Sequence, residues 1–180
     1  MSTESRIKFT SLQIQDSLAI TLGSALDNRG SLTRIWEENS VLKEFKLSQA
    51  SIVSNPVAGT LRGLHYQSEP YSESKLVQCV SGKVFDVIID LRKESATYKK
   101  HIEIEIGPGC TYQGLFVPAG CAHGYLTLEP NSTLIYFMDK AYSPENSQGI
   151  RWNDSKLLIN WPCKPTLVSQ QDLQWPGLDT

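Results

Sequence analysis

The chain of 180 residues has four cysteines and no CxxC pair. Scattered at positions 79, 110, 121 and 163, they form neither a zinc knuckle nor a redox motif. A chain this long does not need staples, so reduced thiols are expected. Charge excess is also missing: 17 Lys and Arg against 19 Asp and Glu leave a formal net charge of −2. That balance gives no electrostatic case for nucleic acid or an anionic membrane, and any anionic ligand must be held by a few local cations. No apolar run is long enough to span a bilayer. The opening MSTESRIKFTSLQIQ lacks the apolar core of a signal peptide, so a cytoplasmic protein is expected. One domain over residues 1–180 suits this length.

What is present is β-structure. Residues 6–22 alternate apolar and polar character, which predicts one or two short strands. DNRG at 27–30 is a turn signal. Val41, Leu42 and Phe45 fall at helical spacing, so one short helix is expected within 37–47. Beyond residue 51 the signals are almost entirely β: short runs at 60–65, 76–80, 84–91, 115–117, 124–128 and 133–138, punctuated by Gly and Pro. HIEIEI at 101–106 alternates throughout and puts three Ile on one face. Many short strands with such turns predict a mainly β, double-sheet jelly roll with a few short helices. The tail carries Trp175, and a large aromatic there is expected to dock.

The stretch 59–92 concentrates chemistry on β-structure. His65 is the first candidate, although a lone strand histidine is more often structural. Arg62 lies three residues before it and Lys75 ten after. In a regular strand residues 62 and 65 face opposite ways, unless a bulge intervenes, and Gly63 is placed to supply one. His123 sits in PAGCAHGY, a Pro-x-Gly-x-x-His spacing found in metal-binding cupins. Those proteins need two further His and a Glu near position 65, where only His65 stands among three His in the chain. A catalytic metal needs about three well-placed ligands, so no metal is expected. Tyr136 and Tyr142 read by default as core or rim aromatics, and Asp172 and Arg29 as exposed polar residues.

Together, GTLRGLHYQ (59–67), KLVQCVSGKVFDVIIDLR (75–92), VPAGCAHGY (117–125), IRWND (150–154) and SQQD (169–172) resemble the dTDP-4-dehydrorhamnose 3,5-epimerase family of metal-free cupins. The resemblance implies a cupin-type double-stranded β-helix acting on a nucleotide-linked 4-keto-6-deoxy sugar without a cofactor. It implies His65 as base, Asp172 as its partner, Lys75 as stabiliser of the enolate oxygen and Tyr136 as the opposed acid. It further implies Arg29 and Arg62 at the phosphates, His123 at the sugar and Tyr142 stacked on the base. It also implies a homodimer that exchanges N-terminal strands, which would give the segment 6–22 a purpose. Departures from the family pattern are Arg34 in place of Glu, Ala50 and Ile52 in place of Gln and Asn, and Gln171 in place of Lys. A 3-epimerase acting on one centre, a ketoisomerase, and a non-catalytic sugar-nucleotide binder are the alternatives. Retention of both a base and an opposed acid favours an enzyme over a binder.

Overall fold

The computed structural model describes residues 7–38 and 40–178. The polar opening 1–6 and Asn39 lie outside the described residues. The strands are β1 (Ile7–Ser11), β2 (Leu18–Leu22), β3 (Ser24–Asp27), β4 (Gly30–Thr33), β5 (Gln49–Asn55), β6 (Thr60–Gln67) and β7 (Lys75–Ser81). They continue with β8 (Val84–Asp90), β9 (His101–Ile106), β10 (Gly114–Val117), β11 (Cys121–Thr127), β12 (Ser132–Met138), β13 (Ser147–Gly149) and β14 (Leu167–Val168). One short helix, α1 (Gln170–Gln174), follows. One sheet runs β1-β2-β10-β7-β12-β5 and the other β13-β6-β11-β8-β9, with β14 added beside β6. The chain is mainly β, with the antiparallel sheets of a cupin-type jelly roll.

The main core is closed by apolar residues of strands in both sheets. Val77, Leu115 and Leu134 of the first meet Val84, Ile88 and Ile106 of the second, all fully buried. Each such side chain stabilises the fold by roughly 1.5–3 kcal/mol relative to exposure. HIEIEI forms β9 with Ile102 and Ile106 buried, as its alternation predicts.

Two segments sharpen the expectations. Residues 37–47 hold a single 3-10 turn, Ser40–Leu42, rather than an α-helix. Leu42 and Phe45 are buried against Phe137 and Trp36, and Val41 points outward. Two anchors three residues apart need only one turn, and helix nucleation costs more than so short a segment returns. Secondly, residues 7–22 pair within the chain, β1 with β2 and β2 with β10. The segment that joins neither sheet is the β3–β4 hairpin, which pairs with itself and exposes Leu26 (80%) and Leu32 (68%).

Candidate active site

The site begins with an irregularity in β6. His65 faces His123 of β11 and Arg62 faces Tyr125, so β6 spends three steps where β11 spends two. A bulge of this kind turns residues 62 and 65 to the same side. Gly63 makes it possible: its φ is +121°, and a Cβ there would lie 2.6 Å from Gly124 Cα. As a result both Arg62 and His65 line one cavity of about 640 Å³ between the sheets. Small-molecule sites commonly have this size.

On the outer edge of β6, β13 pairs with residues 65–67 and β14 with residues 60–61. Arg62 and Gly63 are left between them, and α1 carries Asp172 into that gap. Ser169 caps α1 by accepting the Asp172 N–H at 3.0 Å. The Asp172 carboxylate then sits 2.5 Å from His65 Nε2 through Oδ1 and accepts the Gly63 N–H at 3.4 Å through Oδ2. The side chain of His65 is 40% exposed and that of Asp172 only 4%, so a ligand in the cavity reaches the imidazole and not the carboxylate. Burial works against the Asp172 charge, but the His65 bond, its charge, and the Gly63 and Ser169 contacts outweigh it and hold the carboxyl below its usual range.

Tyr136 comes from β12 in the opposite sheet and lines the same cavity. Burial, reinforced by the nearby Tyr125 and Asp86, pushes its phenol well above the ordinary value, so it stays protonated. Its ring meets His123 edge-on at 5.9 Å. His123 Nε2 is bonded to Asp86 Oδ2 at 2.9 Å in a fully enclosed pair, and Asp86 Oδ1 has no partner among the described residues. Burial raises the Asp86 carboxyl, against the pull of the His123 charge and bond and of Lys75.

Lys75 opens β7 and reaches the His65 carbonyl at 3.2 Å and Glu73 Oε1 at 2.9 Å. Both members of that ion pair are buried, and Glu73 Oε2 has no partner among the described residues. Arg62 is aimed by Asn55, whose Oδ1 accepts its Nε–H at 2.9 Å and the Tyr125 hydroxyl at 3.3 Å.

Thus His65, Asp172, Lys75, Tyr136, Arg62 and His123 share one cavity. Arg29 and Tyr142 do not line it. Arg29 sits on the β3–β4 turn, 84% exposed and paired with Asp27, and Tyr142 is exposed beyond β12. The departures at Ala50 and Ile52 also resolve differently: β5 turns Gln49, Ser51 and Val53 to the cavity, while Ile52 is 71% exposed. Gln171 does line the cavity, so the departure there removes a cation from the wall.

Sequence reasoning passed over Asp86, Asn55, Glu73 and Gln49. Asp86 carried a signal, because a carboxylate inside the apolar run 84–91 must find a buried partner. Asn55 and Glu73, in polar stretches, carried none.

The pattern that describes dTDP-4-dehydrorhamnose 3,5-epimerases matches residues 11–180. The chain belongs to the dTDP-4-dehydrorhamnose 3,5-epimerase family. A family enzyme from Sinorhizobium fredii is 37% identical over 94% of this chain and 89% of its own length. One from Shigella flexneri is 41% identical over 67% of this chain and 66% of its own. The crystal structure of the Bacillus anthracis epimerase, with TDP and PPi bound, superposes with a TM-score of 0.89 at 33% identity, covering 96% of this chain and 99% of that one. The protein is therefore an isomerase of the carbohydrate-epimerase kind, and four of the five motifs that suggested the family, all but IRWND at 150–154, place residues on the cavity wall.

Proposed function

We propose that this chain, acting as one domain, epimerises C3 and C5 of a nucleotide-linked 4-keto-6-deoxyhexose of the dTDP-4-dehydro-6-deoxyglucose type. The observation that carries the reading is the opposition of His65 and Tyr136, on facing sheets, across one cavity. The C4 ketone acidifies the hydrogens on C3 and C5, so the reaction calls on no cofactor. His65 takes the proton from one carbon, and the electron pair moves into the carbonyl to give an enolate. Lys75 stabilises the oxygen charge and Asp172 stabilises the imidazolium. Tyr136 then delivers its proton to the opposite face of the same carbon. His65 releases its proton to water, Tyr136 regains one, and the cycle repeats at the second carbon.

Arg62 serves the diphosphate, where a planar guanidinium suits paired oxygens, and His123 serves the sugar. The TDP held by the Bacillus anthracis relative supports a thymidine nucleotide. Arg29 and Tyr142 lie outside the cavity of their own chain, and the β3–β4 hairpin exposes apolar side chains. We infer a homodimer in which that hairpin, rather than residues 7–22, crosses to a second copy and brings Arg29 to its diphosphate, with Tyr142 stacking on the base. The reaction belongs to a cytoplasmic step of deoxysugar and polysaccharide biosynthesis.

Incubation with the 4-keto-6-deoxy sugar nucleotide in D2O tests this. Deuterium at both C3 and C5 is expected; deuterium at C3 alone makes the protein a 3-epimerase, and a migrated carbonyl makes it a ketoisomerase. His65→Ala should abolish exchange while largely sparing ligand binding. Exchange at the wild-type rate in that variant removes His65 as the base, and binding without exchange in the wild type leaves a sugar-nucleotide binder.

A further inference from the structure

Trp175 touches both members of the His65–Asp172 pair. Its indole N–H donates to Asp172 Oδ1 at 3.2 Å, the same oxygen that faces His65 Nε2 at 2.5 Å. Its ring also stands edge-on to the imidazole, with centroids 6.2 Å apart and planes at 70°. The indole is fixed from behind by Gly149, which β13 places opposite His65. A Cβ on that glycine would lie 2.4 Å from the indole ring. The backbone after it is tied down as well, since the Arg151 N–H donates to the Pro176 carbonyl at 2.8 Å. The indole is thus wedged between a strand and the pair.

We propose that Trp175 is a positioning residue that fixes the Asp172 carboxylate and sets the basicity of His65. The proposal rests on the reading of His65 as the base. A carboxylate oxygen that accepts from two donors divides its charge between them. The indole bond therefore draws density away from the bond to the imidazole and limits how strongly Asp172 stabilises the imidazolium. A general base works best with its pKa near the operating pH, and a base held too high stays protonated and idle. The other charged or titratable groups around His65 are Lys75 at its carbonyl, Arg62 on its own strand, His123 opposite it on β11 and Tyr136 across the cavity. Glu73 and Asp86 stand behind Lys75 and His123. None of them is altered by substitution at 175.

Trp175→Phe keeps a ring against Gly149 and removes the N–H. Following the imidazole C–H signals by NMR titration of the full chain should show the His65 midpoint rising by about half to one pH unit. The midpoints of His101 and His123 should stay in place. The acid limb of the kcat/KM profile should move upward with His65. A merely structural role would lower the rate and leave both midpoint and limb where they were; that result overturns the proposal. If Trp175→Phe does not fold, the wild-type protein decides. One of the four tryptophan indole N–H signals should titrate with the His65 midpoint and lose that step in His65→Asn. Four pH-independent signals reject the coupling. The outcomes separate the two readings: exchange retained in His65→Ala removes the base assignment, whereas exchange lost there with an unmoved His65 midpoint in Trp175→Phe removes only the role of Trp175.

Discussion

At the scale of single residues, the cavity separates two titrating groups by environment. Asp172 is held ionised by the bonds it accepts, whereas Tyr136 is held neutral by burial. On the proposed reading, a sugar ring held between His65 and Tyr136 would meet different proton chemistry on its two sides, which inversion requires and simple binding does not. Tyr136→Phe separates the roles. His65 still removes the proton and returns one from solvent to the same face, so deuterium should enter the sugar with retained configuration. Net epimerisation should fall about 100-fold or more, the usual range for loss of a general acid. The check is NMR of the product in D2O. Loss of deuterium uptake in step with epimerisation would show that Tyr136 acts before the enolate forms, and would reverse its assignment. The His123–Asp86 pair behind Tyr136 is a different case, because both groups are enclosed and Asp86 is biased toward its neutral form by burial. Its geometry suits holding the His123 ring in place against Tyr136 rather than moving protons.

At the scale of elements, the site depends on a strap, residues 166–178, laid along the edge of β6. Its own regular structure amounts to β14 and the five residues of α1. Few backbone bonds hold it, so the Asp172 carboxylate matters for its docking. The folded pKa of Asp172 lies below the ordinary value, so the stability it contributes is present above the unfolded value of about 3.9 and fades as pH falls through the folded one. Acid should therefore loosen the strap, and Trp175 reports it. A change in tryptophan fluorescence is expected below about pH 4, ahead of the loss of the far-UV β signal. Asp172→Asn should lack that step, and a wild-type transition coincident with global unfolding would show that the strap is no separate unit. The strap also marks the limit of what the sequence made legible. The strands of the jelly roll could be read because alternation and Gly/Pro turns are local signals. The bulge at Gly63 could be anticipated because only a glycine tolerates its backbone there. Trp175 announced that the tail docks. Where it docks is decided by contacts more than a hundred residues apart, as in Gly63 with Asp172, and no local pattern encodes them. The shortness of the helix within 37–47, a single 3-10 turn, has the same root, since spacing of apolar residues cannot say whether one turn or three will bury them.

At the scale of the whole molecule, the cavity of one chain holds the groups proposed for proton transfer but few cations for a diphosphate. Its cations are Arg62, aimed by Asn55, and Lys75, already paired with buried Glu73. Gln171, which is uncharged, lines the same wall. A nucleotide diphosphate brings two or more negative charges, and one guanidinium offsets only part of them. Arg29 is the further cation that the resemblance implies, yet it projects on a hairpin that neither sheet of its own chain takes up. If a second copy takes up the hairpin, a closed two-fold pair gives each cavity one chain's His65 and the other chain's Arg29. Mixing inactive variants then distinguishes a shared site from a self-contained one. His65→Ala lacks the base and Arg29→Ala lacks the crossing cation. A mixed pair contains one cavity with both groups intact and one with neither. Random exchange between the two variants should restore about a quarter of the wild-type exchange rate, because half of the pairs are mixed and each has one working site. The measurement is deuterium uptake after partial unfolding and co-refolding, with sedimentation confirming that dimers have re-formed. Re-formed mixed dimers with no recovered activity would mean that Arg29 serves its own chain, and the crossing hairpin would have to be abandoned.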